Sequence, residues 1–265
     1  MMAKTQLARI TLGTVFGLCA AVNAARAQDA EGIEKAMAPP PDVTTAVREG
    51  ALLPSTLSPR VGTTAALALG FGGYDGARSS PIGSATAEVR VWGPFAIRGG
   101  AEYSTIRKEP RPSIGGRVQL LRQEKHGIDG SFSVFYRPEG FTEPEGEIES
   151  FVSLGRRFER ISVLGNLVYG QDPEGNERDG EIRFASLYGV GRWAFGIDSR
   201  LRFAIGMQRS AMAIAEPKFD LMAGPVAAAT LGPVAVFAQA GPSVLRVTNS
   251  TAAGVAALAG VGSVF

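Results

Sequence analysis

The stretch FGIDSRLRFAIGM, residues 195–207, contains two chemically distinct sets of side chains. Every second residue is apolar with one exception: Phe195, Ile197, Ser199, Leu201, Phe203, Ile205 and Met207. The residues between them are charged or small: Gly196, Asp198, Arg200, Arg202, Ala204 and Gly206. Successive side chains of a β-strand point to opposite faces, whereas a helix would mix the two sets around its circumference. The stretch is therefore predicted to be a strand with one apolar and one polar face.

The same alternation recurs from about residue 63 to the end of the chain. It predicts about twelve strands of roughly ten residues, and no segment in this range has a helical period. Tight turns, such as Gly93-Pro94 and Gly232-Pro233, are predicted after every even-numbered strand. Longer polar links follow the odd-numbered strands, including VTNST at residues 247–251. Short turns at one end and long loops at the other are typical of a transmembrane barrel.

The composition of the two faces indicates which one meets lipid. The charged sets are diluted with Gly, Ala and Ser, which is unusual for a solvated face. The apolar sets carry aromatic residues near strand ends: Phe95, Tyr103, Tyr136, Phe158, Tyr169, Phe195 and Phe265. Rings at strand ends are typical of membrane interfaces. We predict an all-β fold, a transmembrane antiparallel up-and-down β-barrel of about 12 strands over residues 63–265; the alternative is a soluble barrel or sandwich.

This region resembles Gram-negative outer-membrane β-barrel proteins in its even strand count and in having both ends on the periplasmic side. The final residue, Phe265, resembles the C-terminal aromatic by which such barrels are recognised for assembly, although Ser263 and Ala259 interrupt the bulky alternation before it. The resemblance implies an outer-membrane location. It also implies outer-membrane lipid, lipopolysaccharide and the barrel-assembly machinery as partners.

The N-terminus has the features of an export signal. A basic start precedes an apolar run at residues 10–22, and Ala25-Arg26-Ala27 matches the small-x-small cleavage pattern. We predict a signal peptide over residues 1–27. The alternative is a lipoprotein anchor at Cys19, which is disfavoured by the bulky Leu18 before it.

Charge and residue inventory restrict the function. The formal net charge of +2 becomes −1 when Lys4, Arg9 and Arg26 are removed with the signal, so nucleic acid is not an expected partner. The mature chain has no cysteine, and the single histidine, His126, falls in a predicted periplasmic turn. We therefore expect no catalytic residues, metal site or cofactor, and an outer-membrane enzyme is the least favoured alternative.

Residues 28–62 do not follow the strand pattern. They contain a proline triplet at 39–41 with short amphipathic stretches on either side. Two interpretations remain open: a flexible periplasmic leader, or a segment that folds back into the lumen and plugs it.

The polar faces predict a charged barrel interior. The predicted lumen-lining residues are Arg90, Arg98, Arg117, Arg137, Arg183, Arg200, Arg202, Glu102, Asp129 and Asp198, accompanied by Glu88, Glu149 and Asp220. Arginines along a water-filled lumen would make a passive channel for small or anionic solutes. Alternatively, the charges pair into a network that fills a closed structural barrel presenting surface loops.

Overall fold

The computed structural model of the chain describes residues 43–53, 55–73, 79–104, 110–138, 146–173, 178–205, 219–247 and 250–265. The predicted signal peptide and residues 28–42 of the predicted leader lie outside these residues. The described part contains two short helices, α1 (Val43–Arg48) and α2 (Gln123–His126). Its twelve strands are β1 (Thr64–Gly73), β2 (Ser79–Trp92), β3 (Phe95–Ser104), β4 (Pro110–Leu121), β5 (Asp129–Pro138), β6 (Gly146–Phe158), β7 (Ile161–Gln171), β8 (Arg178–Val190), β9 (Trp193–Ala204), β10 (Phe219–Leu231), β11 (Val234–Val247) and β12 (Ser250–Val264).

The strands form a closed antiparallel barrel. Each strand pairs with its neighbours along the chain, and β1 pairs with β12, with Thr64 opposite Val264. Closure leaves no strand edge, so the backbone groups of the wall are satisfied by one another, as a bilayer requires. The prediction of a twelve-stranded up-and-down barrel is confirmed.

The links between strands differ at the two ends of the barrel. Two-residue turns join β2 to β3, β6 to β7, β8 to β9 and β10 to β11, and a seven-residue link containing α2 joins β4 to β5. We call this the turn end; the chain enters β1 and leaves β12 there. The opposite loop end carries the remaining links. The prediction of a long link at residues 247–251 is wrong, because only residues 248–249 separate β11 from β12.

The barrel has its polar face inside and its apolar face outside. In β9, Asp198 is fully buried, whereas the adjacent Ile197 is 54% exposed and Phe195 is 47% exposed. The same alternation runs through β5, where Ser131 and Ser133 are buried and Phe132 and Val134 are exposed. A belt of exposed apolar side chains around a closed sheet is favourable in lipid and unfavourable in water.

Residues 43–63, which comprise α1 and the link from it to β1, lie against the inner wall. We call them the inner segment. Val47 and Leu52 pack against alanines of β1, β9, β10 and β11 and against Phe237, all on the inner face. Within the described residues, no helix is long and apolar enough to cross a membrane.

Candidate functional site: the filled lumen

The inner segment enters the barrel at the turn end, rises to mid-height and returns. At its start, the Arg48 guanidinium donates to the carbonyl of Gly191 in the β8–β9 turn. At its end, the backbone N–H of Gly62 donates to Glu88 Oε1 of β2 (2.9 Å). Between these points the chain contacts β4, β7, β8 and β9. Its highest part is the apex, residues 55–58.

A buried carboxylate holds the apex. The hydroxyl groups of Ser55 and Thr56 both donate to Asp198, the latter at 2.6 Å from Oδ1. The carboxylate is fully buried, and a buried charge requires hydrogen-bond donors such as these hydroxyl groups. Asp198 therefore anchors the inner segment to β9.

An asparagine in the middle of β7 recognises the backbone of the apex. Asn166 Oδ1 accepts from the N–H of Leu57, and its Nδ2 donates to the carbonyl of the same residue, both at 2.8 Å. A primary amide that satisfies both backbone groups of one residue replaces a strand partner. The Leu57 side chain enters an apolar pocket formed by Phe135, Phe151 and Val168.

Two predicted lumen arginines donate to backbone carbonyls of the apex. Arg183 Nη1 lies 3.1 Å from the carbonyl oxygen of Ser55, and Arg117 Nη2 bonds the carbonyl of Ser58. Arg117 also pairs with Glu88, and both side chains are 2% exposed. This ion pair is thus shielded from solvent at the height of the apex.

An ion-pair cluster fastens the inner segment at the turn end. Arg60 contacts Asp129 (2.8 Å), Glu124 (2.9 Å) and Glu49 (3.4 Å). Glu49 also accepts from Arg157 of β6 at 2.5 Å. Burial raises the pKa of Glu49, although the charges of Arg60 and Arg157 act in the opposite direction. The cluster ties both arms of the segment to the wall.

Inward glycines make room for the segment. A Cβ at Gly155 of β6 would lie 2.8 Å from Cγ of Pro59, and a Cβ at Gly189 of β8 would lie 2.8 Å from Cγ of Arg48. Larger side chains at these wall positions would collide with the inner segment. The wall is therefore shaped to hold the segment.

The loop-end half of the interior contains a network of arginines and carboxylates. The pairs with their N–O distances are Arg137–Glu102 (2.8 Å), Arg137–Glu149 (2.5 Å), Arg183–Glu181 (2.8 Å), Arg200–Glu181 (3.2 Å), Arg200–Asp220 (3.5 Å), Arg202–Glu147 (3.4 Å) and Arg202–Asp179. Arg98 pairs with Glu88 (3.6 Å) nearer the turn end. The Arg202–Glu147 pair joins β9 to β6, which are not neighbours, so it reaches across the interior.

In parts of this network the arginine side chain is more exposed to solvent than the carboxylate with which it pairs. The Arg200 side chain is 35% exposed and its partner Glu181 is 5% exposed. The Arg202 side chain is likewise more exposed than Glu147. Glu102 is the reverse case, since it is more exposed than Arg137.

The structure distributes the predicted residues over several places. Arg137, Arg183, Arg200, Arg202 and Glu102 belong to the loop-end network, whereas Arg98 pairs with Glu88 nearer the turn end. Arg117 and Asp198 hold the apex, and Asp129 binds Arg60 at the turn end. Arg90 stands apart, with its Nε donating to the carbonyl of Gly93 at 2.8 Å.

The apolar residues of the inner face were not predicted. Phe135, Phe151, Leu164, Val168, Leu187 and Phe237 are buried at positions whose alternation assigns them to the polar face. Their signal in the sequence is a break in the alternation, such as the adjacent Phe135 and Tyr136. Apolar side chains on the inside of a barrel require a covering group, which is the inner segment.

The described residues contain no arrangement suited to metal binding. No group of three or more His, Cys, Asp and Glu side chains in this part of the chain could hold a metal ion. His126 is exposed in α2 at the turn end, with its ring Nδ1 3.2 Å from the carbonyl of Arg122.

The chain matches no protein-family model, and no curated protein matches it in sequence. Solved structures are similar in fold. The NanC porin aligns over 76% of this chain and 98% of its own, with a TM-score of 0.54 and 10% identity. The KdgM porin in complex with disordered oligogalacturonate aligns over 76% and 99%, with a TM-score of 0.50 and 9% identity. LpxR from Salmonella typhimurium aligns over 76% and 100%, with a TM-score of 0.47 and 8% identity. The chain therefore has the architecture of an outer-membrane β-barrel protein.

Proposed function

We propose that this protein is an outer-membrane channel for small solutes, anions in particular, which the inner segment closes from the periplasmic side. The observation that carries the proposal is the way in which the lumen is filled. The wall of the barrel is complete without the inner segment, since β1 to β12 close by themselves. The obstruction is a separate stretch of chain that contributes no strand.

The polar contacts of the inner segment favour reversible docking. Asn166, Arg183 and Glu88 bond its backbone, and Asp198 bonds its hydroxyl groups. Water can replace each of these partners, so each hydrogen bond contributes only about 0.5–1.5 kcal/mol for Asn166 and about 1.5–3 kcal/mol for the charged groups. Release would leave these wall groups facing a water-filled lumen, where they remain solvated.

The arrangement of charge supports a preference for anions. Arg200 and Arg202 are more exposed to the lumen than their partners Glu181 and Glu147, so a passing solute meets guanidinium groups first. Guanidinium groups bind carboxylates and phosphates with paired hydrogen bonds. The similar KdgM barrel was solved with oligogalacturonate, an anionic oligosaccharide, which agrees with this preference by analogy.

A permanently closed barrel is the second candidate. It is favoured by the dry Arg117–Glu88 pair and by Leu57 in its apolar pocket. Burial of one leucine side chain contributes about 1.5–3 kcal/mol, which opposes release. The two candidates differ in whether the folded protein conducts ions.

Planar-bilayer recording under a salt gradient tests the proposal. The refolded mature protein is expected to show openings whose reversal potential indicates anion preference. In the Arg200→Gln/Arg202→Gln variant, the reversal potential should shift toward cations, because carboxylates then dominate that part of the lumen. The control Arg156→Gln/Arg192→Gln removes the same charge from outside the lumen and should conduct like the unaltered protein. If the correctly folded protein shows no channel openings, the proposal is wrong and the permanently closed barrel is the better account.

A further inference from the structure

Three arginines lie on or beside the outer face of the barrel at the turn end. Arg156 is on the outward face of β6, Arg160 is in the β6–β7 turn, and Arg192 is in the β8–β9 turn. We call these three residues the basic rim. All three are exposed, and Arg156 and Arg192 lie over rings of the apolar belt.

Aromatic rings support the basic rim. The Arg156 guanidinium carbon lies 4.6 Å from the centroid of the Phe158 ring, and that of Arg192 lies 5.5 Å from the Trp193 ring. Trp193 in turn stacks on Phe195, with centroids 6.0 Å apart. A guanidinium on an aromatic face keeps its N–H donors free at the edge.

The rings belong to a continuous shelf across four strands. The strand register places Phe158 opposite Ile161, Ile161 opposite Tyr188, and Tyr188 opposite Phe195. These side chains are exposed on the outer face. Aromatic residues at this height mark the boundary between hydrocarbon and headgroups. The basic rim therefore lies where lipid phosphates lie.

Within the described residues, no carboxylate forms an ion pair with Arg156, Arg160 or Arg192. By contrast, Arg157, the inward neighbour of Arg156, binds Glu49. Glu159 in the same turn is exposed and pairs with none of the three. The patch thus carries an excess of positive charge.

The next turn along the same end, between β10 and β11, contains no arginine. The turn after β10 is Gly232-Pro233, preceded by the exposed Leu231 and followed on the outer face by Val236. Exposed rings and exposed charges also occur elsewhere at this end, as with the stacked Trp92 and Phe95. Among the described residues, however, both guanidinium–ring contacts of the outer face lie on β6 to β9.

We propose that the outer face of β6–β9 at the turn end is a binding site for an anionic phospholipid of the adjoining leaflet. The phosphate accepts hydrogen bonds from the guanidinium groups of the basic rim. The aromatic shelf packs against the glycerol and ester region, and the acyl chains lie along exposed apolar residues higher on the strands, such as Leu154 and Phe184. The apolar surroundings favour a lipid over free phosphate. The site is independent of whether the lumen opens.

Native mass spectrometry of the full mature barrel in detergent tests this site. The probes are cardiolipin, phosphatidylglycerol and phosphatidylethanolamine, each titrated separately. The unaltered protein should retain the two anionic lipids in preference to phosphatidylethanolamine. The Arg156→Gln/Arg192→Gln variant should bind them about 30-fold more weakly, since each arginine near an anionic surface contributes about 1 kcal/mol.

The matched control is Arg122→Gln/Lys125→Gln, which removes two exposed charges from the β4–β5 link at the same end. It should retain the lipid affinity of the unaltered protein. Millimolar inorganic phosphate should not displace the lipid. Equal retention of phosphatidylethanolamine, equal losses in the two double variants, or displacement by phosphate would each overturn the proposal.

Discussion

At the scale of single residues, Asn166 is the most specific contact between the wall and the inner segment. Its amide bonds both backbone groups of Leu57, and no water is needed to complete the arrangement. Asn166→Ala removes two hydrogen bonds, equivalent to about 1–3 kcal/mol. We expect roughly a tenfold or greater rise in the ratio of open to closed time in single-channel records.

The control for this substitution is the residue paired with Asn166 on the neighbouring strand β6. Ser153 of β6 pairs with Asn166 in the strand register, and its buried hydroxyl has no hydrogen-bond partner among the residues that the structure describes. Ser153→Ala should therefore leave the gating unchanged. Equal effects of the two substitutions would contradict the assigned role of Asn166.

Glu88 is the residue with the greatest expected effect on stability. It accepts from Arg117, which is as deeply buried as Glu88 itself, and from the backbone of Gly62. Glu88→Gln leaves the arginine without its counter-charge, which costs about 3–5 kcal/mol when a buried pair is broken. The urea midpoint of unfolding in micelles should fall accordingly.

Glu102→Gln provides the comparison for that measurement. Glu102 also pairs with an arginine, Arg137, but its side chain is 52% exposed. An exposed ion pair contributes less than about 1 kcal/mol, so this variant should unfold close to the unaltered protein. Equal losses of stability in the two variants would contradict the difference in burial between the two ion pairs.

At the scale of elements, β9 tests the assignment of the two faces. Ile197 faces outward near the middle of the strand. Ile197→Arg places a charge in the hydrocarbon and should lower the folding free energy in lipid vesicles by about 2–4 kcal/mol. Ile205→Arg, at the loop-end border of the same face, should cost less than about 1 kcal/mol. Equal costs at the two positions would mean that the face does not span a bilayer.

The elements also show what the sequence could predict. The strands, their number and their faces follow from a period of two, because each strand position is decided by lipid on one side and polar groups on the other. The inner segment has no such period, and its contacts lie far away in the chain, as Leu57 and Asn166 illustrate. Its two open interpretations could not be separated without knowing which wall residues face it.

The charged interior was predictable in kind and not in detail. Alternation identified Arg117 and Asp198 as inward residues, since their neighbours are apolar. It could not reveal that Arg117 bonds a backbone carbonyl or that Asp198 accepts from hydroxyl groups. These partners belong to the inner segment, so the roles appear only when the segment and the wall are considered together.

At the scale of the whole molecule, the barrel wall and the inner segment pack together but have different structural roles. The wall closes by strand pairing, and the lumen is filled by chain that contributes no strand. This arrangement is expected of a channel that is shut by its own N-terminal region. The central claim is that movement of the inner segment opens the lumen.

A reversible covalent lock tests this claim most directly. The single cysteine of the chain, Cys19, lies in the predicted signal peptide, so the mature protein offers a cysteine-free background. A Cβ at Gly155 would be 2.8 Å from Cγ of Pro59, which is close enough for Pro59→Cys/Gly155→Cys to form a disulfide. Pro59→Cys alone, which leaves the wall glycine in place, is the control for oxidation.

The measurement is single-channel current through the oxidised double variant in a planar bilayer, before and after a reductant is added to the same membrane. We predict no openings while the disulfide holds the inner segment in the lumen, and openings after reduction. Currents of the same size and frequency through the locked and the reduced barrel would contradict the account, because the segment would then not be the gate.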